Sequence, residues 1–402
     1  MTEDDPKVLG RRVAFFRRQR GLSQRAFADL VDRSETWVSQ VERGTRRIDR
    51  MSVLQALADT LNVPLAELAA ESPVVAAARE RPGPAVEISL ALSSSDALFA
   101  VLHERVKPDV DRLANEVARA WGLAHGSQYD ELSQLLVGLL PQLESAARAT
   151  TGRTQRTMFA SLARAYHACA AVLSKMAEPA AAWVAADRAI SAAERAGDPL
   201  LMGEGAFRLA LVFQASRRFA QVRRTASTAA VALDERAASG ERAALSLWGS
   251  LHLQLAIAAA RQNDADTAYT HLGLARTAAD RLGEDRNDYE TEFGPTNVEL
   301  HAVAVAVELG DAGRALRNAE GLDASHLSPE RQGRLLIDVA RAHAQRRNIA
   351  SAVAAIEAAH LVTPEQVDSH PMIAAIVRDL LRSEQGRDPE LKALAARLRL
   401  ST

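Results

Sequence analysis

Ten histidines and a single cysteine are the residues of this chain with the widest chemical reach, and neither set is spaced for catalysis. The histidines are scattered without an HExxH pair, and the sequence carries no GxxxxGK[ST] phosphate loop, nucleophile elbow or CxxC motif. His301 and His343 fall on amphipathic stretches, where a packed or solvent-facing role is expected. Cys169 has no second cysteine with which to build a disulfide or thiolate cage, and reads as a small core residue. No enzyme activity, metal or cofactor is therefore expected. What is spaced for chemistry is charge. Residues 7–50 hold twelve Lys and Arg against five Asp and Glu, a local balance of +7, whereas residues 71–402 balance to −4. Such a concentration of cations is suited to meeting phosphates.

The elements that must position these cations are helices. The chain is alanine-rich, poor in β-branched runs and only 4% aromatic, so an all-α fold is expected. A first helix fits Val8 to Gln19, with Leu9, Val13 and Phe16 on one face and Arg11, Arg12 and Arg18 elsewhere. Ser23 has the character of an N-cap for a second helix from Gln24 to Val31, whose Phe27 and Val31 point inward beside Ala28. Asp32 falls where the chain must turn sharply, and Asp tolerates the left-handed conformation better than most residues. Ser34 is placed to cap a third helix ending at Gly44, with Val38 and Val41 inward. A fourth helix fits Ser52 to Leu61, and Pro64 opens a fifth in "VPLAELAA".

The stretch "SQRAFADLVDRSETWVSQVERG" resembles the phage-repressor-like helix-turn-helix family over about residues 7–70. Asp32 departs from the glycine usual in that family. The resemblance implies that the third helix docks in the DNA major groove. Glu35, Thr36 and Gln40 would then face base edges, with Gln bridging adenine, Glu accepting from the cytosine amino group and Thr touching a thymine methyl. Gln24 would meet a phosphate, as would Arg43, Arg46 and Arg47 after the third helix. Arg25 and Ser34 complete the DNA-facing set. Trp37 would contact a thymine or sugar, or else form the core edge. Arg17 and Glu42 would pair as a brace.

Residues 71–95 carry three prolines and little helical periodicity, and read as a linker after a DNA-binding domain of residues 1–70. Helices are expected to resume near Asp96 and to fill residues 96–402. Within that part a small residue, an apolar residue three later and another small residue nine beyond recur together. The sets are Ala170, Leu173, Ala182; Ala210, Phe213, Val222; Ala256, Ala259, Ala268; Val303, Ala306, Ala315; and Ala340, His343, Ala352. The pattern resembles degenerate tetratricopeptide repeats, which stack as an α-solenoid with a concave groove. Helices at about 128–149 and 154–175 would begin the stack, and the helices after His370 would close it. The polar stretch Asp285 to Thr296 breaks at Gly294-Pro295, and this "FGPTNV…LH" passage resembles actinobacterial regulators that join a repressor-like reader to such repeats.

In this repeat type the first helix of each pair lines the groove. That places His167, Phe207, Gln214, Leu253, Arg261, Asn297, Arg334 and Arg341 there, where Asn and Arg could clamp a peptide backbone or an anion. The expected protein is a sequence-specific transcription regulator, cytoplasmic, nucleoid-associated when bound to DNA, and without a membrane span. It would bind a pseudo-palindromic operator as a homodimer, its repeats sensing a peptide, small molecule or protein. The alternative is a repeat scaffold that holds a protein partner constitutively, with DNA binding for localisation.

Overall fold

The computed structural model describes residues 5–19, 22–46, 48, 51–61, 63, 68, 83–92, 108–381, 388–398 and 400. They contain helices and no strand, and contacts divide the chain into two units, residues 1–81 and 82–402. Arg47, the helix expected from Pro64 apart from the buried Leu68, and the expected resumption of helix near Asp96 lie outside the described residues.

The first unit contains α1 (Asp5–Gln19), α2 (Gln24–Leu30), α3 (Glu35–Glu42) and α4 (Met51–Leu61). Ser23 accepts from the Ala26 amide at 3.0 Å and Ser34 from the Trp37 amide at 3.1 Å, so both short helices start at side-chain caps. Phe27, Ala28, Val38 and Val41 are buried with Leu9, Val13, Leu54 and Leu57 in one core. Gly10 is required where α1 crosses the end of α3, because a Cβ there would stand 2.3 Å from the Val41 carbonyl oxygen. Asp32 takes the turn at φ 51°, as its type suggested. Because glycine adopts that conformation without a Cβ clash, Asp32→Gly is expected to stabilise this unit by about 0.5 kcal/mol after its chain-entropy cost. A urea midpoint that moves down instead would refute this.

The second unit begins earlier than the composition suggested. Residues 83–91, read as part of a linker, form α5 (Gly83–Ala91), whose Ala85, Ile88 and Ala91 are buried in the core of the unit. The prolines misled that reading, since Pro84 sits in the first turn, where a missing N–H costs nothing.

Six helical hairpins follow: α6 (Val110–His125) with α7 (Tyr129–Ala149), α8 (Gly152–Lys175) with α9 (Pro179–Ala196), α10 (Pro199–Ala215) with α11 (Phe219–Ala238), α12 (Arg242–Arg261) with α13 (Ala265–Leu282), α14 (Pro295–Glu308) with α15 (Ala312–Ala319), and α16 (Pro329–Gln345) with α17 (Ile349–Val362). Each of the five recurring sets spans one hairpin, and its third member is fully buried where the helices cross. Five residues before that member the turn always holds a residue of positive φ: Ala177, Arg217, Asn263, Gly310 and Arg347. Ser127 does the same ahead of the buried Leu132. Ala120, Leu123 and Leu132 are therefore a sixth copy of the pattern, hidden because its last member is large. The stack begins one helix earlier than expected, at α6, and α7 packs on both α6 and α8. By length and composition α12 could cross a membrane, but it is buried nearly all round inside the stack, which accounts for its apolar character.

The chain ends in α18 (Pro364–Ser369), α19 (Pro371–Leu381) and α20 (Pro389–Arg397). The last part of the stack returns to the first. Glu365 of α18 accepts from the Tyr129 and Asp130 amides at 2.6 and 3.0 Å, satisfying two orphan donors at the start of α7.

Candidate nucleic-acid interface and repeat cavity

In the first unit, the caps at Ser23 and Ser34 fix where α2 and α3 begin, and the side chains just inside those caps are open. Arg25, Glu35, Thr36, Arg43 and Arg46 are exposed. Gln40 is half-buried, and its Oε1 accepts from Arg46 at 3.3 Å, which orients the carboxamide on the face of α3. Arg43 folds back, its Nε donating to the Ser39 carbonyl at 3.2 Å. Trp37 is half-buried against the core, with the Arg33 guanidinium over its ring at 5.8 Å, so it forms a core edge. Ser34 spends its hydroxyl oxygen on the α3 cap.

The brace is present and larger than expected. Arg17 reaches Glu42 with two nitrogens, at 2.5 and 3.0 Å, and Gln24 Nε2 donates to the same carboxylate at 2.8 Å. Arg17 also holds the Leu22 carbonyl at 2.6 Å, which ties down the chain entering α2. Burial pushes the Glu42 carboxyl up, but hydrogen bonds from Arg17 and Gln24 and the charges of Arg17 and Arg18 outweigh it. It ends below its ordinary value. Gln24, expected at a phosphate, has its amide nitrogen engaged by this internal carboxylate.

In the second unit, a cavity of about 480 Å³ opens inside the curve of the hairpins. Phe207, Gln214, Arg261 and Arg334 line it, as their place on first helices suggested. The other expected residues do not. His167 is fully buried in the core, where burial takes its imidazole down to about 3, and Leu253 is a core residue of α12. Asn297 is buried and donates to the Glu292 carbonyl at 2.7 Å. Arg341 pairs with Glu308 at 3.2 Å and Asp338 at 2.8 Å.

Residues not anticipated complete the walls: Trp121, His125, Lys175, Arg208, Arg331, Glu290, Glu292, Glu308 and Glu330. Arg331 lies one turn before Arg334 on α16, so helical spacing alone could have found it, whereas Arg208 directly follows Phe207, about 100° round the helix, and spacing does not select it. The glutamates 290 and 292 belong to the polar break between α13 and α14, which runs into the curve as a strap. One short helical turn, Asp288–Glu290, lies within it. His125 bridges the strap, Nε2 to Glu290 at 3.1 Å and Nδ1 to Glu292 at 3.0 Å. Arg164 pairs with Glu290 at 2.7 Å, and Arg208 donates to the Glu290 carbonyl at 2.7 Å. Arg331 lies 3.3 Å from Glu292 and donates to the Thr291 carbonyl at 3.0 Å. Burial lowers the pKa of His125, but both glutamates outweigh it, and the ring is held above its ordinary value. Carboxylates at both nitrogens favour its protonated form.

The Glu330 carboxylate, itself buried, is met by Lys175 at 3.1 Å. Burial would raise its pKa, yet Lys175, Arg331 and Arg334 hold it far below the usual carboxylate range. By contrast Glu204, buried behind the cavity, is pushed by burial up to about 8, so it is largely protonated at neutral pH. Among the described residues no group of three or more metal-ligating side chains is present.

Comparison with known proteins bears on the first unit. The helix-turn-helix domain family matches residues 8–70. An uncharacterized HTH-type transcriptional regulator, YazB of Bacillus subtilis (strain 168), is 34% identical over 65 residues, 16% of this chain and 93% of that protein. Among solved structures, PlcR of Bacillus thuringiensis, in complex with the peptide PapR7 and DNA, is similar at 13% identity and a TM-score of 0.30. That alignment covers 69% of this chain and 96% of the PlcR chain.

Proposed function

The chain belongs to the helix-turn-helix family of transcriptional regulators, and from that premise we propose that α3 reads an operator while the repeat unit receives a signal. The observation that carries the reading is the presentation of α3. A side-chain cap starts it, a buried brace fixes its end, and Glu35, Thr36 and Gln40 remain on its open side. Gln40 and Thr36 are the base readers in this reading. Arg25, Arg43, Arg46 and Arg47 meet the backbone, as does Gln24 with the amide hydrogen that Glu42 does not take, and Ser34 and Trp37 set the position of α3. Two copies in a homodimer would meet half-sites about one DNA turn apart, roughly 34 Å.

DNA footprinting of the full chain is expected to show a protected pseudo-palindrome whose affinity falls with salt. Gln40→Ala is expected to lose about 1–3 kcal/mol of discrimination at one base pair. Arg43→Ala is expected to weaken binding evenly across sequences and to reduce the salt slope by about 1. No protected site, or an unaltered base preference in Gln40→Ala, refutes the reading.

The concave, charged cavity supports sensing over a constitutive scaffold, because a ligand that prefers one curvature of the hairpins would shift the DNA-binding equilibrium. Such a protein acts in the cytoplasm, at the nucleoid when bound to DNA.

A further inference from the structure

The cavity walls carry more cations than their own carboxylates neutralise. Lys175, Arg208, Arg217, Arg261, Arg331 and Arg334 face it, against Glu290, Glu292, Glu308 and Glu330. Each carboxylate already has a cationic partner within the unit: Arg164 and His125 for Glu290, His125 and Arg331 for Glu292, Arg261 and Arg341 for Glu308, and Lys175 for Glu330. Arg334 has no hydrogen-bond or ion-pair partner among the described residues. Arg208 is buried, and its Nε has no hydrogen-bond partner although its Nη2 holds the strap and lies 3.4 Å from Glu204 Oε1. A buried guanidinium with an unused donor is costly unless an acceptor arrives.

The remaining wall is apolar. Trp121 and Phe207 flank Arg208, their ring centres 4.6 and 5.0 Å from its guanidinium carbon, and Leu211, Phe219, Ile257 and Met372 continue the surface. Few side-chain amides that could clamp a peptide backbone line the cavity. Gln214 donates to Gln254 at 2.9 Å and accepts from Arg261 at 3.0 Å, and no asparagine lines the cavity. An extended peptide would leave many of its own backbone groups unmatched there, whereas a compact organic acid would not. The volume, about 480 Å³, lies in the range of small-molecule sites.

We propose that the effector is a small organic carboxylate with an apolar or aromatic body, its carboxylate seated on Arg334 and Arg208 and its body against Trp121, Phe207 and Ile257. This rests on the sensing role assigned above to the repeat unit.

The test titrates phenylacetate and decanoate, their neutral amides, and inorganic phosphate into the full chain, reading Tm and tryptophan emission. At least one carboxylate is expected to bind at or below about 1 mM, with its amide at least about tenfold weaker. Arg334→Met is expected to weaken that binding by about tenfold or more, and Arg334→Lys, which keeps the charge, to retain most of it. Arg276→Met, at a surface pair with Glu299, should leave it unchanged. If Arg334→Met fails to fold, the contrast between acid and amide and the Arg334→Lys variant decide. Amides equal to acids, phosphate alone binding, indifference to Arg334→Met in a folded protein, or no response to either carboxylate would each overturn the proposal. A chain that protects an operator yet ignores both acids refutes only this ligand class. One that protects no operator refutes the DNA reading and leaves the carboxylate result standing.

Discussion

Replacing Arg17 by Met is expected to lower the stability of the N-terminal unit by about 3 kcal/mol, because it strands the Glu42 carboxylate in a site from which water is largely excluded. The two side chains are only 8% and 6% exposed, so little solvent is at hand to replace the lost partner. Gln24 would remain, but a single neutral amide does not compensate for a bidentate guanidinium. The loss should be confined to one unit. In thermal or urea melts of the full chain, the transition of residues 1–81 moves down while that of the repeat unit stays. Adding Glu42→Leu is expected to recover much of the stability, since it removes the stranded charge itself.

The pH dependence follows from the same pair. Glu42 titrates below its ordinary value in the folded state, so its contribution is present above the unfolded carboxylate pKa and is lost as pH falls through the folded one. Acid unfolding of this unit should be less steep in the double variant than in the natural chain. An Arg17→Met protein that melts within about 0.5 kcal/mol of the natural one would show the brace to be an ordinary surface pair.

Phe293→Ala is expected to cost the repeat unit about 3–5 kcal/mol. The ring is fully buried, and it fits only because position 249 is glycine, where a Cβ would come within 2.0 Å of the ring tip. This ring is the apolar anchor of the strap. Ahead of it Tyr289, Glu290 and Glu292 all hold positive φ, at 51°, 55° and 49°, a backbone that persists only under outside restraint. Without the anchor the strap should relax and draw Glu290 and Glu292 away from His125. The reading is twofold: a lower melting temperature, and a His125 pKa by NMR that falls toward its ordinary value. Because the folded pKa is raised, this pairing stabilises the protein fully below the unfolded histidine value and is lost as pH rises through the folded one. Phe293→Ala with an unmoved His125 titration would mean the strap is held by its ion pairs alone.

How much of this was legible beforehand depends on how far each determinant reaches along the chain. The helices around Ser23, Asp32 and Ser34 are set by local caps and a turn, and they were read to within a residue or two. Gly10 was passed over because its role is a contact with α3, thirty residues away. Gln24 was assigned to phosphate, and only the fold brings Glu42 to it. The repeat pattern was visible wherever a small residue marks the hairpin crossing, and invisible at Leu132. Among groove residues, Phe207, Gln214, Arg261 and Arg334 line the cavity, whereas His167, Asn297 and Arg341 share a helix face with lining residues (Ala171, His301 and Arg334) but are taken up by the core, by the strap and by ion pairs. The strap was recognised as a break in the pattern. Its course into the curve is fixed by partners as distant as His125, which no local spacing reveals.

Glu365 changes how the array can come apart. In an open array of repeats each unit answers only to its neighbours, and order can be lost from either end a piece at a time. Here the carboxylate of α18 caps α7 across more than two hundred residues, and Lys175 meets Glu330 across the same closure. The array becomes a hoop. Its first hairpin is held by the chain's last quarter, so a nascent chain cannot finish its beginning until its end has been made. A cut anywhere in the hoop is felt on both sides of the seam.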